Sequence, residues 1–233
     1  MAEGEICLPE HAYYCFDVLQ AHLTNSPLPS PPFPDAKYPL FVTWNVRSSK
    51  PGGHSKLRGC IGNFGDQDLG KGLAEYALIS ALEDHRFNPI QEKELPKLEC
   101  SVSLLTDFED ASNYLDWTIG VHGIYISFEN PYIRDSSFRN VFSRRRTYSR
   151  NTMTATYLPE VIPEQGWDKV EAIEGAMRKA GWDGDIDEQL RQSVRLRRYR
   201  SRKITVSWGE YQAWKESQIT STTSGTDTPN QSE

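Results

Sequence analysis

The sequence predicts an α+β fold built on a mainly antiparallel sheet. Helix-period and strand-period segments interleave, but without the regular strand–helix–strand beat of a parallel sheet, and no internal repeat is visible. The chain has 233 residues, 37% hydrophobic and 11% aromatic, enough for one large domain or two modest ones with a real core. No apolar run approaches the roughly 20 residues that a membrane-spanning helix needs, so no membrane role is expected.

The elements follow in order. Residues 9–24 open on Pro9 and place Ala12, Cys15, Phe16, Leu19 and Leu23 at helical spacing, an amphipathic helix with one apolar face. Pro27, Pro29, Pro31, Pro32 and Pro34 then form a polyproline-like spacer across 27–39 that cannot continue the helix. PLFVTWNV reads as a strand, SSKPGGHSK as a turn-rich loop and LRGCIGNF as a second strand, compatible with a hairpin. Asp66 is placed to cap a helix whose Leu69, Leu73, Tyr76, Ala77 and Ala81 share a face, and EDHRFNPI ends it because Pro89 disfavours helix at Asn88.

LECSVSLLT is a third strand and VHGIYISF a fourth, with His122, Ile124, Ile126 and Phe128 on one side. TMTATYLP is a further strand. Residues 167–180 are helical, with Asp168 near the start, Val170, Ile173 and Met177 inward and Gly181 as a left-handed stop. A short helix covers 186–191. SVRLRRY and KITVSW are strands on either side of a Ser201-Arg202 turn, and a last short helix reaches Trp214. The tail, 217–233, lacks apolar periodicity and is expected to be disordered, leaving 1–216 as the folded domain.

The N-terminus, MAEGEICLPEHAYY, has neither a basic n-region nor an apolar h-region, so an intracellular, cytoplasmic or nuclear protein is expected. Cys7, Cys15, Cys60 and Cys100 form no CxxC pair, and the five histidines show no metal-ligand spacing, so reduced thiols and no metal site are expected. A phosphate-binding P-loop, a dinucleotide fingerprint and a serine-hydrolase elbow are all missing, which argues against those enzyme classes. No cofactor is indicated.

The segment Leu57-Arg58-Gly59-Cys60-Ile61-Gly62 concentrates the chemistry. Gly59 and Gly62 permit close approach by another group, and their backbone N–H groups are candidate anion donors. Strand alternation sends Arg58 and Cys60 to one face, where a guanidinium would favour the thiolate and make Cys60 a candidate nucleophile. The alternative is a small buried Cys60 with Arg58 as a structural ion-pair partner. A nucleophile needs a base, and His85 and His122 are the main candidates, with His54 in the mobile loop weaker. Glu83, Asp84 and Arg86, flanking His85, are candidate acid–base or charge partners.

LRGCIG, followed by GLAEYALISALEDHRF, ELPKLECSVSLLTDFE, DWTIGVHGI, TATYLPEVIPEQGW and SVRLRRYRS, resembles the AMMECR family from about Pro9 to Trp214. That resemblance implies a two-lobed α+β fold. A larger lobe would hold both chain ends around an antiparallel sheet, a smaller α/β lobe would be inserted in it, and the hexapeptide would lie near their junction. It implies no settled activity, although prokaryotic relatives joined to MEMO-like and radical-SAM domains hint at enzymology and eukaryotic members can be nuclear. Residues 130–151 depart from the family pattern as an inserted loop.

Charge is segregated although the total is −6. Six arginines against one acid fill 134–150, including Arg144, Arg145 and Arg146, and seven basic residues with no acid fill 191–203, including Arg195 and Arg197; together they are half of the 26 basic residues. Local potential rather than net charge governs phosphate binding. Two functions therefore stand: a small-molecule or catalytic pocket around LRGCIG at the lobe junction, or a non-enzymatic adaptor, or nucleic-acid-associated protein, using the basic clusters. The partner is correspondingly a small molecule, a protein or a nucleic acid.

Overall fold

A computed structural model of the chain describes residues 6–48, 53–131 and 152–223, with side chains to residue 218. The protein is mixed α and β, with a six-stranded antiparallel sheet in the order β2-β1-β3-β6-β4-β5. The chain divides into two compact units, Met1–Leu104 with Arg202–Glu233, and Leu105–Ser201. No helix among the described residues is long and apolar enough to cross a membrane.

In the first unit, α1 (Pro9–Leu23) and α2 (Leu69–Leu82) cover one face of β1 (Lys37–Val46), β2 (Lys56–Asp68) and the start of β3 (Leu98–Asp110). Strand alternation sends Leu40, Val42 and Trp44 of β1, and Leu98, Cys100, Val102 and Leu104 of β3, into this core. The helices supply the residues that periodicity selects: Ala12, Cys15, Phe16 and Leu19 from α1, and Leu69, Leu73, Ala77 and Ala81 from α2. Phe16 packs against Trp44, Trp208 and Tyr211, and the Trp44 indole donates to the Ala77 carbonyl at 3.0 Å, satisfying the polar atom that the large ring carries into the core. All four cysteines are free thiols.

The proline-rich segment is packed rather than a bare spacer. Pro31 lies on α2 at Gly70, where an added Cβ would sit 2.7 Å from its ring. Phe33 meets His11 and Tyr14 edge-on, at 4.7 and 5.5 Å between ring centroids. Apolar ring area explains the difference, because prolines with a phenylalanine among them can bury surface that a Gly/Ser spacer lacks.

In the second unit, β4 (Gly123–Glu129) lies between β5 (Thr152–Tyr157) and β6 (Arg195–Ser207), whose first residues, up to Ser201, belong to this unit. Ile124, Ile126 and Phe128 face the buried Ala172, Ile173, Ala176 and Met177 of α4 (Lys169–Lys179). The expected cap is present: Asp168 accepts from the Glu171 amide at 2.8 Å while Glu171 accepts from the Asp168 amide at 2.9 Å. Gly181, at φ 99°, is the left-handed stop.

Several boundaries differ from the sequence reading. β2 runs on to Asp68, so Asp66 lies in the strand and Asp68 precedes α2; pairing of Lys37 with Asp68 carries the ladder past the expected turn. Ser201 and Arg202 are interior to β6, since neither residue breaks a strand and the Ser101 and Thr205 hydroxyls bond across it at 2.8 Å. His122 precedes β4, where its Nδ1 accepts from the Thr118 amide at 3.0 Å. Short helices with internal prolines, the 3-10 helix Glu92–Lys97 and α3 (Val161–Gln165), went unread, while α5 (Glu188–Gln192) is shorter than expected. The last helix, α6 (Trp208–Thr223), extends past Trp214 into the stretch read as a disordered tail. Arg134, Arg139, Arg144, Arg145, Arg146 and Arg150 lie outside the described residues.

His11 supplies a pH test of the first unit. Its imidazole is buried, its Nδ1 accepts the Leu8 amide at 3.1 Å, and burial pushes its pKa below the usual value, against the opposing pull of Glu10. The folded state therefore favours neutral His11, so its contribution is present above about pH 6.5 and lost as pH falls toward the lowered folded value. The urea midpoint is expected to drop between pH 7 and pH 5, and to drop less in His11→Asn, whose amide oxygen accepts the same bond without titrating. Equal drops in both proteins would show that His11 is not the titrating group.

Candidate functional site

The hexapeptide occupies β2, the outermost strand on its side of the sheet. The β1–β2 ladder slips here: Trp44 faces Gly59 while Asn45 faces Leu57, leaving Arg58 as the extra residue of a bulge. A bulge re-aims the side chain it carries. Among the described residues Arg58 makes no hydrogen bond to Cys60. Its Nε and Nη2 donate to Glu94 Oε1 and Oε2 at 2.9 and 3.1 Å, and Nη1 and Nη2 donate to the Asn88 and Pro89 carbonyls at 2.6 and 3.3 Å. Arg58 is thus the ion-pair partner that fastens the connection between α2 and β3, and the expected Arg58–Cys60 pairing is corrected.

The guanidinium at Cys60 belongs to Arg86. Asp84 is buried and its carboxylate accepts the Cys60 amide at 2.9 Å, the Arg86 amide at 3.2 Å, and Arg86 Nε and Nη2 at 2.9 and 2.6 Å. Arg86 Nη2 also donates to the Cys60 carbonyl at 3.2 Å. Both backbone groups of Cys60 are therefore taken by one carboxylate–guanidinium pair from the turn that follows α2. The charged hydrogen bond from Arg86, reinforced by the two backbone amides, holds the Asp84 carboxyl well below the usual carboxylate range.

The Cys60 thiol is half-buried and accepts from Thr43 Oγ1 at 3.1 Å. Burial pushes its pKa up; the Thr43 hydroxyl, Arg86 and Lys203 pull it down, and Asp84 adds to the rise. The balance is a raised pKa, which favours the neutral thiol. Cys60 has no hydrogen bond to a histidine among the described residues. His85 is exposed, next to Arg86, and His122 sits in the second unit.

The glycines have tenants. A Cβ on Gly59 would collide with the Ser80 carbonyl of α2, and one on Gly62 would collide with the Leu40 carbonyl and the Phe41 ring. Their lack of side chains thus admits a helix backbone and an aromatic ring from this chain, rather than a ligand. Ser80 itself is buried, with its hydroxyl donating to the Tyr76 carbonyl at 2.6 Å. Glu83 ends α2 through its amide bond to the Ile79 carbonyl, and its side chain is exposed.

Three of the predicted residues, Arg58, His85 and Arg86, line one open cleft of about 460 Å³ with Phe87 and Asn88. Sequence reasoning missed Glu94, Thr43 and Lys203. Thr43 was recoverable only with the β1–β2 register, and Glu94 gave no signal within its mixed-charge segment. No group of three or more histidine, cysteine or acidic residues among the described residues is arranged to hold a metal. Of the second basic cluster, Arg191 is bound to Glu174 and Glu188 and Arg198 to Glu109 and Asp116, while Arg195 and Arg197 are exposed on β6.

A sequence profile described as AMMECR1 matches residues 12–204. The chain belongs to the AMMECR1 family. An uncharacterised Arabidopsis thaliana protein is 46% identical over 202 residues, spanning 87% of this chain and 86% of that protein. An uncharacterised Saccharomyces cerevisiae protein is 31% identical over 234 residues, spanning 86% of each. Among solved structures, the uncharacterised protein PH0010 from Pyrococcus horikoshii aligns with a TM-score of 0.61 at 22% identity, covering 84% of this chain and 89% of that one; this likeness is one of fold.

Two measurements check the AMMECR1 site. Gly59→Ala is expected to destabilise by about 1–3 kcal/mol through overpacking against α2, read as a lower urea midpoint with an unchanged slope. Wild-type stability in that variant would mean α2 does not sit on Gly59. Iodoacetamide is expected to alkylate Cys60 more slowly in the folded chain than in urea at pH 7.5, followed by peptide mass spectrometry. A faster folded-state rate would restore the thiolate.

Proposed function

We propose that this AMMECR1 chain binds a small anionic molecule non-covalently in the cleft beside the LRGCIG segment. The observation that supports this most is the state of Arg86. Its guanidinium is fixed by Asp84 and the Cys60 carbonyl, yet its side chain is 57% exposed, and Nη1 has no hydrogen bond among the described residues. A cation held rigidly at a concave surface loses little freedom on binding and offers a charge-assisted donor. His85 and the Phe87 ring line the same cleft, the latter 5.5 Å beneath the Arg86 guanidinium. Arg58 serves the site as a positioning residue, because all of its nitrogens donate to Glu94 or to backbone carbonyls.

Cys60 in this reading is a neutral thiol that steadies Arg86 through its backbone carbonyl rather than a nucleophile, since burial outweighs the cations near it. Of the second basic cluster, the nucleic-acid reading is left with Arg195 and Arg197, exposed on β6, since the Arg191 and Arg198 guanidiniums are half-buried and hold carboxylates of neighbouring elements.

The test is unbiased detection of retained metabolites. Full-length wild type and Arg86→Lys, purified in parallel, are denatured and their released small molecules compared by mass spectrometry. An anionic metabolite present with wild type and at least about tenfold depleted with Arg86→Lys is expected, because a point charge replaces a planar fork. Unchanged near-UV circular dichroism guards against misfolding. Identical metabolite sets from both folded proteins would remove Arg86 from ligand binding.

A further inference from the structure

The second unit carries four arginines within eight residues, and the structure sorts them into two kinds. Arg191 donates to Glu174 at 2.6 Å and to Glu188 at 3.0 Å. Arg198 donates to Glu109 at 2.8 and 2.9 Å and to Asp116 at 2.7 Å. Both are half-buried or less exposed and hold elements together. Arg195 and Arg197 are different. Arg195 is exposed and no carboxylate pairs with it among the described residues. Arg197 faces only Asp110, at 3.8 Å, and that carboxylate is 92% exposed. A pair so long and so wet contributes little.

These two under-neutralised arginines share one face of β6 and line one cavity. The register sets Arg195 opposite Ser127 and Arg197 opposite Tyr125 on β4. All four line a cleft of about 870 Å³ closed on its far side by the turn after β3 and by α5. Glu188 also borders it, but its carboxylate is occupied by Arg191, the Tyr114 hydroxyl and Gln192, so it does not neutralise the arginines. Arg197 is steadied by stacking of its guanidinium over Phe108, 5.1 Å from the ring centroid, and Phe108 in turn stacks on the buried Tyr199 at 5.2 Å. Two like charges side by side on a strand repel each other. They are stabilised together when one dianion bridges them, and a phosphoryl group has the oxygens to accept from both forks.

We infer that the second unit holds a binding site for a phosphoryl dianion, bridged by Arg195 and Arg197, with Ser127 and Tyr125 as hydroxyl-bearing walls. The concave shape favours a small molecule, either a phosphomonoester or phosphate itself. This site is independent of the cleft at Arg86.

The test is an amide chemical-shift titration of the full-length chain at constant ionic strength, with inorganic phosphate in one arm and ribose 5-phosphate in the other. Saturable shifts at Tyr125, Ser127, Arg195 and Arg197 are expected, with affinity falling about tenfold or more in Arg195→Ala and in Arg197→Ala, since each removes charged hydrogen bonds. Tighter binding of ribose 5-phosphate assigns a phosphomonoester that also uses the hydroxyl walls; equal affinities assign phosphate itself. Absence of saturable shifts at these amides in both arms overturns the inference. So does titration that survives in both variants, or saturation only with a single-stranded oligonucleotide that neither small anion displaces. Shifts confined to residues 84–88 would place the anion in the first cleft and likewise end this one.

Discussion

The region around the hexapeptide depends on a close contact between backbones. The Ser80 carbonyl of α2 occupies the space above Gly59 that any side chain would fill. That contact sets the height of α2 over β2, and the helix end then delivers Asp84 and Arg86 to the Cys60 backbone. Trp44 locks the same helix from the neighbouring strand through its bond to the Ala77 carbonyl. A glycine can thus matter to a site without touching a ligand, because what it admits is another piece of the same chain.

The Arg58 bulge has a comparable reach. The Arg58 guanidinium is spent on Glu94 and the carbonyls that follow α2, so the two arginines divide their work. Arg58 anchors the turn from behind, and Arg86 faces outward from it. Burial then decides the state of the thiol, since the nearby cations offset the desolvation of a thiolate only in part.

Much of the fold was legible because it rests on local periodicity. The buried faces of α1, α2 and α4 hold most of the residues that helical spacing selects, with Leu23, Tyr76 and Val170 only half-buried at their margins, and Asp168 and Gly181 bound α4 as their chemistry requires. The antiparallel sheet followed from the mix of elements. What failed to show was non-local. The partner of Arg58 lies 36 residues away and the bulge that aims it there has no signature in an LRGCIG string. The run through Ser201 and Arg202 was hidden because a polar pair in mid-strand resembles a turn until its neighbouring strand is known. Candidate residues were found by type, since Arg58, His85 and Arg86 do converge, but their roles were exchanged relative to expectation.

The clamp on Cys60 has a consequence for behaviour at high concentration. An outermost strand offers unpaired backbone donors and acceptors on which a second chain could template. Asp84 and Arg86 act as a decoy neighbour at Cys60, and Asn63 and Gln67 cover Gly65 from within the same strand. On β5, the opposite border, Lys179 occupies the Thr156 carbonyl and lays its charge over the Tyr157 ring. At these positions a foreign strand pairing with either border would first have to displace contacts that the folded chain already makes.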